Sequence, residues 1–439
     1  MDFIAAQAYL LGTINETVSR RMPNRLARMR AFLRELGDPQ TKYRTIHVGG
    51  TSGKGSTSTM IAAALSATGR RCGLHTKPHL SSVTERARID GIAIEEARFA
   101  AVLDEMMPAI ERITYEYGRP TYYETLLALA FLYFAQEQVD IAAIEVGVGG
   151  KLDGTNVIEP VASVITNIGL DHTEILGPTH ESIAEDKVGI AKSGVPLVSD
   201  VGHPGARRVI EAGCERVGAP FFSVRDLVAI EPRPSEPYGQ SFVVRTPHDR
   251  YELSIPVLGQ FQQRNAATAI LALEQLPEEI RPSRREIEDA FAALVIPGRM
   301  EFFPSYPSVV FDIAHNADKA RELARALVQT FPGRRFSFVI AISETKDVPH
   351  VIAPFTELPG TFTFTSFEAA GRVAAKPQRL ASVAGDFGVW GRAISDPVEA
   401  FAVARRNADA SEIVVVTGST FLVGTLRDWW FSNVYEASR

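Results

Sequence analysis

The eight residues Gly49-Gly50-Thr51-Ser52-Gly53-Lys54-Gly55-Ser56 constrain the fold more than any other part of the chain. They stand between a short apolar run, Ile46–Val48, and a helix-like stretch, Ser56–Thr68, closed by Gly69 in a C-cap position. Strand, glycine-rich turn and helix in that order make a phosphate-binding loop. The glycines let the backbone wrap around phosphate oxygens with its N–H groups inward, and the helix N-terminus adds the positive end of its dipole. Lys54 is then placed to reach the β- and γ-phosphates and the Ser56 hydroxyl to ligate Mg²⁺. The spacing departs from the ordinary G-x-x-x-x-G-K-[ST] pattern, because Val48 takes the place of the first glycine and Gly55 separates lysine from hydroxyl. A glycine turn with a solvated lysine is the plain alternative. The coincidence of all three elements favours a nucleotide, with ATP as the expected ligand.

The rest of the chain alternates in the same way. Gly73–Thr76 reads as a strand, and Tyr122–Ala135, apolar all round, as a helix buried on most sides. Ile141–Val146 and Val161–Ile168 are unbroken apolar runs of the kind found in parallel strands covered on both faces. Repeated strand–helix alternation predicts a doubly wound, mainly parallel α/β sheet. From about Pro232 to Pro256 the pattern changes to two strands, Ser241–Arg245 and Tyr251–Ile255, joined by Thr246–Arg250 in a hairpin-like insertion; Asn265–Glu274 then resumes helix. Pro297–Arg299 reads as a linker, followed by strands at Val309–Ile313, Phe336–Ile342, Thr361–Thr365 and Ile413–Thr417. The expected division is residues 1–296, an ATP-binding α/β domain, and 297–439, a smaller Rossmann-like α/β domain. With 439 residues, 45% apolar and 22% charged, the chain can bury more than one core, and collagen-like, disordered and disulfide-scaffold classes are excluded.

A net charge of −6 leaves no basic footprint for nucleic acid. Cys72 and Cys214 can form neither a disulfide framework nor a metal spacing, which points to a reducing, cytoplasmic setting. Phe3–Ile14 follows Asp2, lacks a basic start and reads as an amphipathic helix rather than a signal peptide. Tyr122–Ala135 is shorter than the ~18–20 residues that span a bilayer, so no membrane partner is expected.

Acidic and imidazole side chains at strand ends supply further candidates. Glu145 closes an apolar strand just before Gly147-Val148-Gly149-Gly150, where ligands bind in open α/β sheets, and is placed to ligate Mg²⁺ opposite the phosphate loop. Asp171-His172 follows the next strand end. Glu185-Asp186-Lys187 opens Val188–Ala191, and spacing alone reads it as an exposed ion pair. Tyr122 and Tyr123 read as core. Arg299 sits where a hinge could swing its planar fork onto phosphate oxygens, and Asp312-Ile313-Ala314-His315 ends another apolar strand.

Assembled, these residues resemble the folylpolyglutamate synthase/dihydrofolate synthase family of the Mur ligase superfamily, from about residue 20 to 431. The resemblance is carried by Gly50–Ser56, Pro78-His79-Leu80 with Thr84-Glu85-Arg86, Glu145–Gly150 with Leu152-Asp153, and Thr155-Asn156. It continues in Asp171-His172-Thr173, Glu185–Ile190, Asn265-Ala266-Ala267, Pro297-Gly298-Arg299, Asp312 with Ala314-His315-Asn316, and Thr417-Gly418-Ser419. It implies an ATP-dependent ligase in which a folate or dihydropteroate carboxylate attacks the γ-phosphate and the amine of L-glutamate displaces phosphate from the acyl phosphate. It further implies Lys54 as phosphate stabiliser within Gly50, Thr51, Ser52, Gly53, Lys54, Gly55 and Ser56. Ser56, Glu145 and His172 become ligands for Mg²⁺, two ions in all, with a carbamylated Lys187 helping to hold the second. Asn265 would hold the base, Arg299 the phosphates, and Asp312 and His315 would close over ATP and glutamate from the second domain. A catalytic set complete in one chain implies a monomer.

Three residues depart from the family pattern: Lys77 stands where a small serine is usual, Lys151 where an arginine is, and Gly154 where an alanine is. Two other readings use part of the same set. A Mur ligase of cell-wall synthesis would need a further N-terminal domain, for which about 45 residues before the loop leave no room. A P-loop ATPase switch would use Gly50–Ser56 and Glu145 but gives no task to Arg299, Asp312 and His315.

Overall fold

A computed structural model describes residues 1–14, 24–234 and 238–435. The start of the family resemblance, residues 20–23, and residues 235–237 inside the proline-rich insertion lie outside them. Three sheets organise the described chain. The first contains β1 (Arg44–Gly49), β2 (Cys72–His75), β3 (Arg88–Ile89), β4 (Ile92–Ala93), β5 (Ile141–Glu145), β6 (Ala162–Ile165), β7 (Leu197–Ser199) and β8 (Phe221–Ser223). Their spatial order is β4-β3-β2-β5-β1-β6-β7-β8, with only β3 running against the others.

The alternation of a strand assigns its side chains to two cores. Ile141 and Ala143 of β5 join Ile46, Val48 and Ile61 on one face, whereas Ala142 and Ile144 pack with Phe131 and Phe134 on the other. Phe131 and Phe134 lie on the helix Tyr122–Gln136, which is buried along most of its length as its composition predicts. At its start Glu124 accepts two hydrogen bonds from Arg28 Nη2, at 3.1 and 2.8 Å, and one from Thr121 N–H.

The second sheet is antiparallel: β9 (Ala229–Pro232), β10 (Gln240–Arg245) and β11 (Arg250–Ile255), in the order β11-β10-β9. It contains the expected hairpin plus one strand that the sequence does not announce, since β9 is half-exposed and ends in proline. The third sheet holds β12 (Glu301–Phe303), β13 (Ser308–Phe311), β14 (Phe336–Ile340), β15 (Gly360–Phe364), β16 (Gly391–Ala393) and β17 (Ile413–Thr417), ordered β12-β13-β17-β14-β15-β16, with only β12 antiparallel.

The lobe built on this last sheet touches the first lobe at several points. Leu80, from the loop after β2, packs against the core that contains Ile313 and Leu422. Leu258 joins the core of Phe338 and Ile340. Ser81 Oγ donates to Asp428 at 2.6 Å, and Asn316 Nδ2 donates to Asp171 at 3.0 Å. No described helix is long and apolar enough to cross a membrane.

Candidate active site between the two lobes

The phosphate loop follows β1, the central strand, and opens the helix Lys54–Ala67, which starts two residues before the predicted Ser56. Two glycines are required by geometry. Gly53 has φ +80°, and a Cβ there would lie 2.4 Å from Asn265 Oδ1; at Gly50, with φ +134°, a Cβ would meet the Thr166 hydroxyl. Neighbours hold the loop in shape. Asn167 Oδ1 accepts from the N–H groups of Thr51 and Ser52 at 3.2 and 2.7 Å, and Thr166 Oγ1 donates to Ser52 O at 2.6 Å. Lys54 Nζ donates to the carbonyls of Gly50 and Thr51 at 2.9 and 3.1 Å. Burial, and next the charge of Lys77, lower the Lys54 ammonium to about 8.

Lys187 departs most from expectation. It is the last residue of the helix His180–Lys187, not the opening of the next segment, and it is buried rather than paired at the surface. Its Nζ donates to Gly50 O at 2.9 Å, so Lys54 and Lys187 share one carbonyl of the loop. Burial, then Lys54 and Lys77, lower its pKa to about 7. The helix comes this close because Gly150 lacks a Cβ, which would stand 2.7 Å from Lys187 O.

Glu145 ends β5 beside the loop, and its Oε2 lies 3.4 Å from the Cβ position of Gly55. That oxygen accepts from Lys77 N–H at 3.0 Å, and Glu145 makes no ion pair within 4.0 Å among the described residues. Ser56 is buried on the same first turn. His172, at φ 53°, follows Asp171 in the loop after β6. Burial is the chief cause that holds its imidazole below the usual histidine range, opposed by Asp171. No group of three or more His, Cys, Asp or Glu able to hold a metal occurs among the described residues. Glu145, His172 and the Ser56 hydroxyl are hard or borderline donors that suit Mg²⁺ when phosphate oxygens and water complete the shell.

The second lobe supplies the opposite wall. Asp312, buried just past β13, accepts from Met300 N–H at 2.9 Å and Ala314 N–H at 2.8 Å; burial raises its pKa, against the pull of Arg299. His315 Nδ1 lies 2.8 Å from Ile313 O, and its Nε2 lies 3.2 Å from Lys319 Nζ. These partners assign a neutral ring with its proton on Nδ1, and burial likewise holds the imidazole well below its ordinary pKa. Lys319, one helical turn on, is lowered to about 7 by burial and then by Arg299. Neither Lys319 nor Asn167 is picked out by the sequence reading, although the i, i+4 spacing of His315 and Lys319 at a helix start was a usable signal.

A cleft of about 620 Å³ unites the two walls: Gly53, Ser56 and Asn265 line it from the first lobe, and Arg299, Asp312 and Lys319 from the second. Asn265 lies directly over the loop at Gly53 and donates to Gln262 at 2.8 Å. Tyr123, read as core, instead donates its hydroxyl to Asp153 at 3.0 Å; Asp153 also accepts from Val148 N–H at 3.0 Å and Thr155 Oγ1 at 2.6 Å. Those bonds fix the glycine loop that follows Glu145.

A nucleotide loop in one lobe facing cationic and acidic side chains of another is the arrangement of a ligase that activates a carboxylate with a nucleoside triphosphate. Residues 48–273 match the Mur ligase middle domain, and residues 298–420 match the Mur ligase glutamate ligase domain. The chain is 36% identical over 407 residues to the dihydrofolate synthase/folylpolyglutamate synthase of Bacillus subtilis, which covers 92% of this chain and 94% of that protein. Mycobacterium tuberculosis folylpolyglutamate synthase solved with ADP superposes with a TM-score of 0.89 at 30% identity, covering 98% of both chains. E. coli FolC in complex with DHPP and ADP gives 0.85 at 27% identity, again over 98% of both. The protein is thus a Mur-type, ATP-dependent amide ligase. Within that class, it belongs to the folylpolyglutamate synthase/dihydrofolate synthase family.

Proposed function

We propose that this chain joins L-glutamate to a folate through an acyl phosphate, with dihydropteroate as a second acceptor, and that residues 1–296 and 297–439 are the two domains that enclose the reaction. The observation that carries the reading is the shared cleft, which sets the loop helix opposite Arg299, Asp312 and Lys319. Such a reaction asks for neutralised phosphate charge and positioned reactants more than for a protein nucleophile.

The N–H groups of the loop and the helix terminus at Lys54 would cradle the β- and γ-phosphates, with Lys54 turning from loop carbonyls to phosphate oxygens. Arg299 and Lys319 face the same phosphates from the other lobe, and Asn265 closes over the loop at Gly53. Neutral His315, fixed by Ile313 O, accepts from Lys319 Nζ and holds that nitrogen at the cleft wall without adding a charge of its own. Asp312 holds the turns at Met300 and Ala314, and its charge faces Arg299. Ser56, Glu145 and His172 would hold Mg²⁺, which when bound draws negative charge from the transferring phosphoryl group. A carbamate on Lys187 would turn a cation into a carboxylate-like donor for a second ion, while its remaining N–H keeps the bond to Gly50 O. ATP, folate or dihydropteroate, and glutamate are the only partners this reading needs, acting on a cytoplasmic monomer.

The test is ATP-dependent incorporation of labelled L-glutamate, comparing tetrahydrofolate with dihydropteroate. Phosphate release should require both the acceptor and glutamate. Steady hydrolysis without them would favour a P-loop switch.

A further inference from the structure

The ammonium of Lys77 has no task in the reaction proposed above, although its backbone N–H holds Glu145. The lysine lies two residues beyond β2, and in the sheet order β2-β5-β1 it stands at the carboxyl end of the strand next to Glu145, two strands from the phosphate loop. At about 4.8 Å per strand that is roughly 10 Å from the end of β1. Its backbone N–H is committed to Glu145, but its ammonium makes no hydrogen bond, and no ion pair within 4.0 Å, among the described residues. Its charge is nonetheless felt by Lys54, His75, His172, Lys187 and Lys319, which places it on the same side of the sheet as the phosphate loop. The carboxylates it senses, Glu145, Asp153 and Asp171, stand around it at longer range.

Arg86 reinforces the imbalance. Its guanidinium lies over the Tyr122 ring, 5.3 Å from the centroid, donates to His79 Nδ1 at 3.0 Å, and has no carboxylate partner within 4.0 Å among the described residues. A half-buried cation without an acceptor is best served where an anion arrives to meet it. The phosphates already have Lys54 beside the loop and Arg299 and Lys319 across the cleft. The anion missing from the β2 side of Glu145 is the second reactant.

We propose that the Lys77 ammonium binds the carboxylate of the acceptor and holds it against Glu145 for attack on the γ-phosphate. This rests on the carboxylate-activating reading given above. Where the family usually has a serine, this chain carries an amine that can be cationic, so its acceptor affinity depends on acceptor charge.

The test is calorimetric binding of dihydropteroate, and of the same molecule with its carboxyl converted to a primary amide, each in the presence of a saturating non-hydrolysable ATP analogue. A charge-assisted contact predicts that the wild type prefers the acid by about 10- to 100-fold. Lys77→Ser should erase that preference, Lys77→Arg should keep most of it, and both should bind the ATP analogue within about twofold of wild type, which also confirms folding. Retained preference in Lys77→Ser overturns the assignment. So does a loss of ATP-analogue affinity without a change in preference, since the ammonium would then serve the phosphates. If the wild type binds neither form, dihydropteroate falls as a second acceptor, and the Lys77 assignment falls when tetrahydrofolate and its amide likewise show no preference.

Discussion

At pH 7.5 the Lys187 side chain is expected to be mostly an amine rather than an ammonium. Burial together with the charges of Lys54 and Lys77 brings its pKa to about 7, so about three-quarters of the molecules carry the neutral form at that pH. A free lysine with a pKa of about 10.4 would be neutral in about one molecule in a thousand. Only the amine adds CO₂, so at this pH the site offers far more of the reactive form than a surface lysine does. The sign follows directly: uptake should rise through about pH 7 and level off above pH 8, whereas a surface lysine would still be rising at pH 10. The hydrogen bond from Nζ to Gly50 O at 2.9 Å survives the change, because a carbamate nitrogen keeps one hydrogen. In ¹³C-bicarbonate, the native protein should show a carbamate carbon resonance with that pH profile that Lys187→Arg removes, whatever signals the N-terminal amine and Lys319 add. Lys187→Ala should lose ligase activity that a small added carboxylate partly restores. No such resonance at saturating bicarbonate, or one that Lys187→Arg leaves in place, refutes the reasoning.

Lys54→Ala should abolish ligation and leave the far-ultraviolet circular dichroism unchanged; full activity would remove the phosphate-loop assignment. His172→Ala should raise the Mg²⁺ concentration needed for half-maximal activity, and an unchanged titration would remove its ligand role. Arg28→Ala should lower stability by about 3 kcal/mol, read by denaturant unfolding, because it leaves Glu124, whose side chain is only 1% exposed, with Thr121 and a distant Arg25. A loss under 1 kcal/mol would mean that Thr121 and Arg25 satisfy that carboxylate.

Features confined to one stretch of chain were the ones legible in the sequence. The loop Gly49–Ser56 declares its strand, turn and helix within about twenty residues, and Glu145 is marked by an apolar run ending in an acid. Strands of two or three residues, such as β3, β4, β12 and β16, are too short to display a period and exist because a neighbour pairs with them. The burial of Lys187, which only the family resemblance pointed to, is hidden from local spacing for a related reason. Beside Glu185 and Asp186 the lysine looks solvated, and only the close approach of its helix at Gly150 buries it against Gly50. Asn167 and Thr166 hold the loop from β6, more than a hundred residues away, and nothing local to either residue reports that task. Lys77 shows the complementary case: family resemblance marked it as a departure, and only the sheet order gave that departure a location.

Oxygen transfer decides whether a carboxylate is what captures the phosphoryl group. With an acceptor carrying ¹⁸O in its carboxylate, phosphate released during glutamate-dependent turnover should contain one ¹⁸O atom per molecule, because the carboxylate oxygen that captured the phosphoryl group leaves with it. Phosphate carrying only ¹⁶O would mean that water took the phosphoryl group, and the two lobes would then be doing something other than activating a carboxylate.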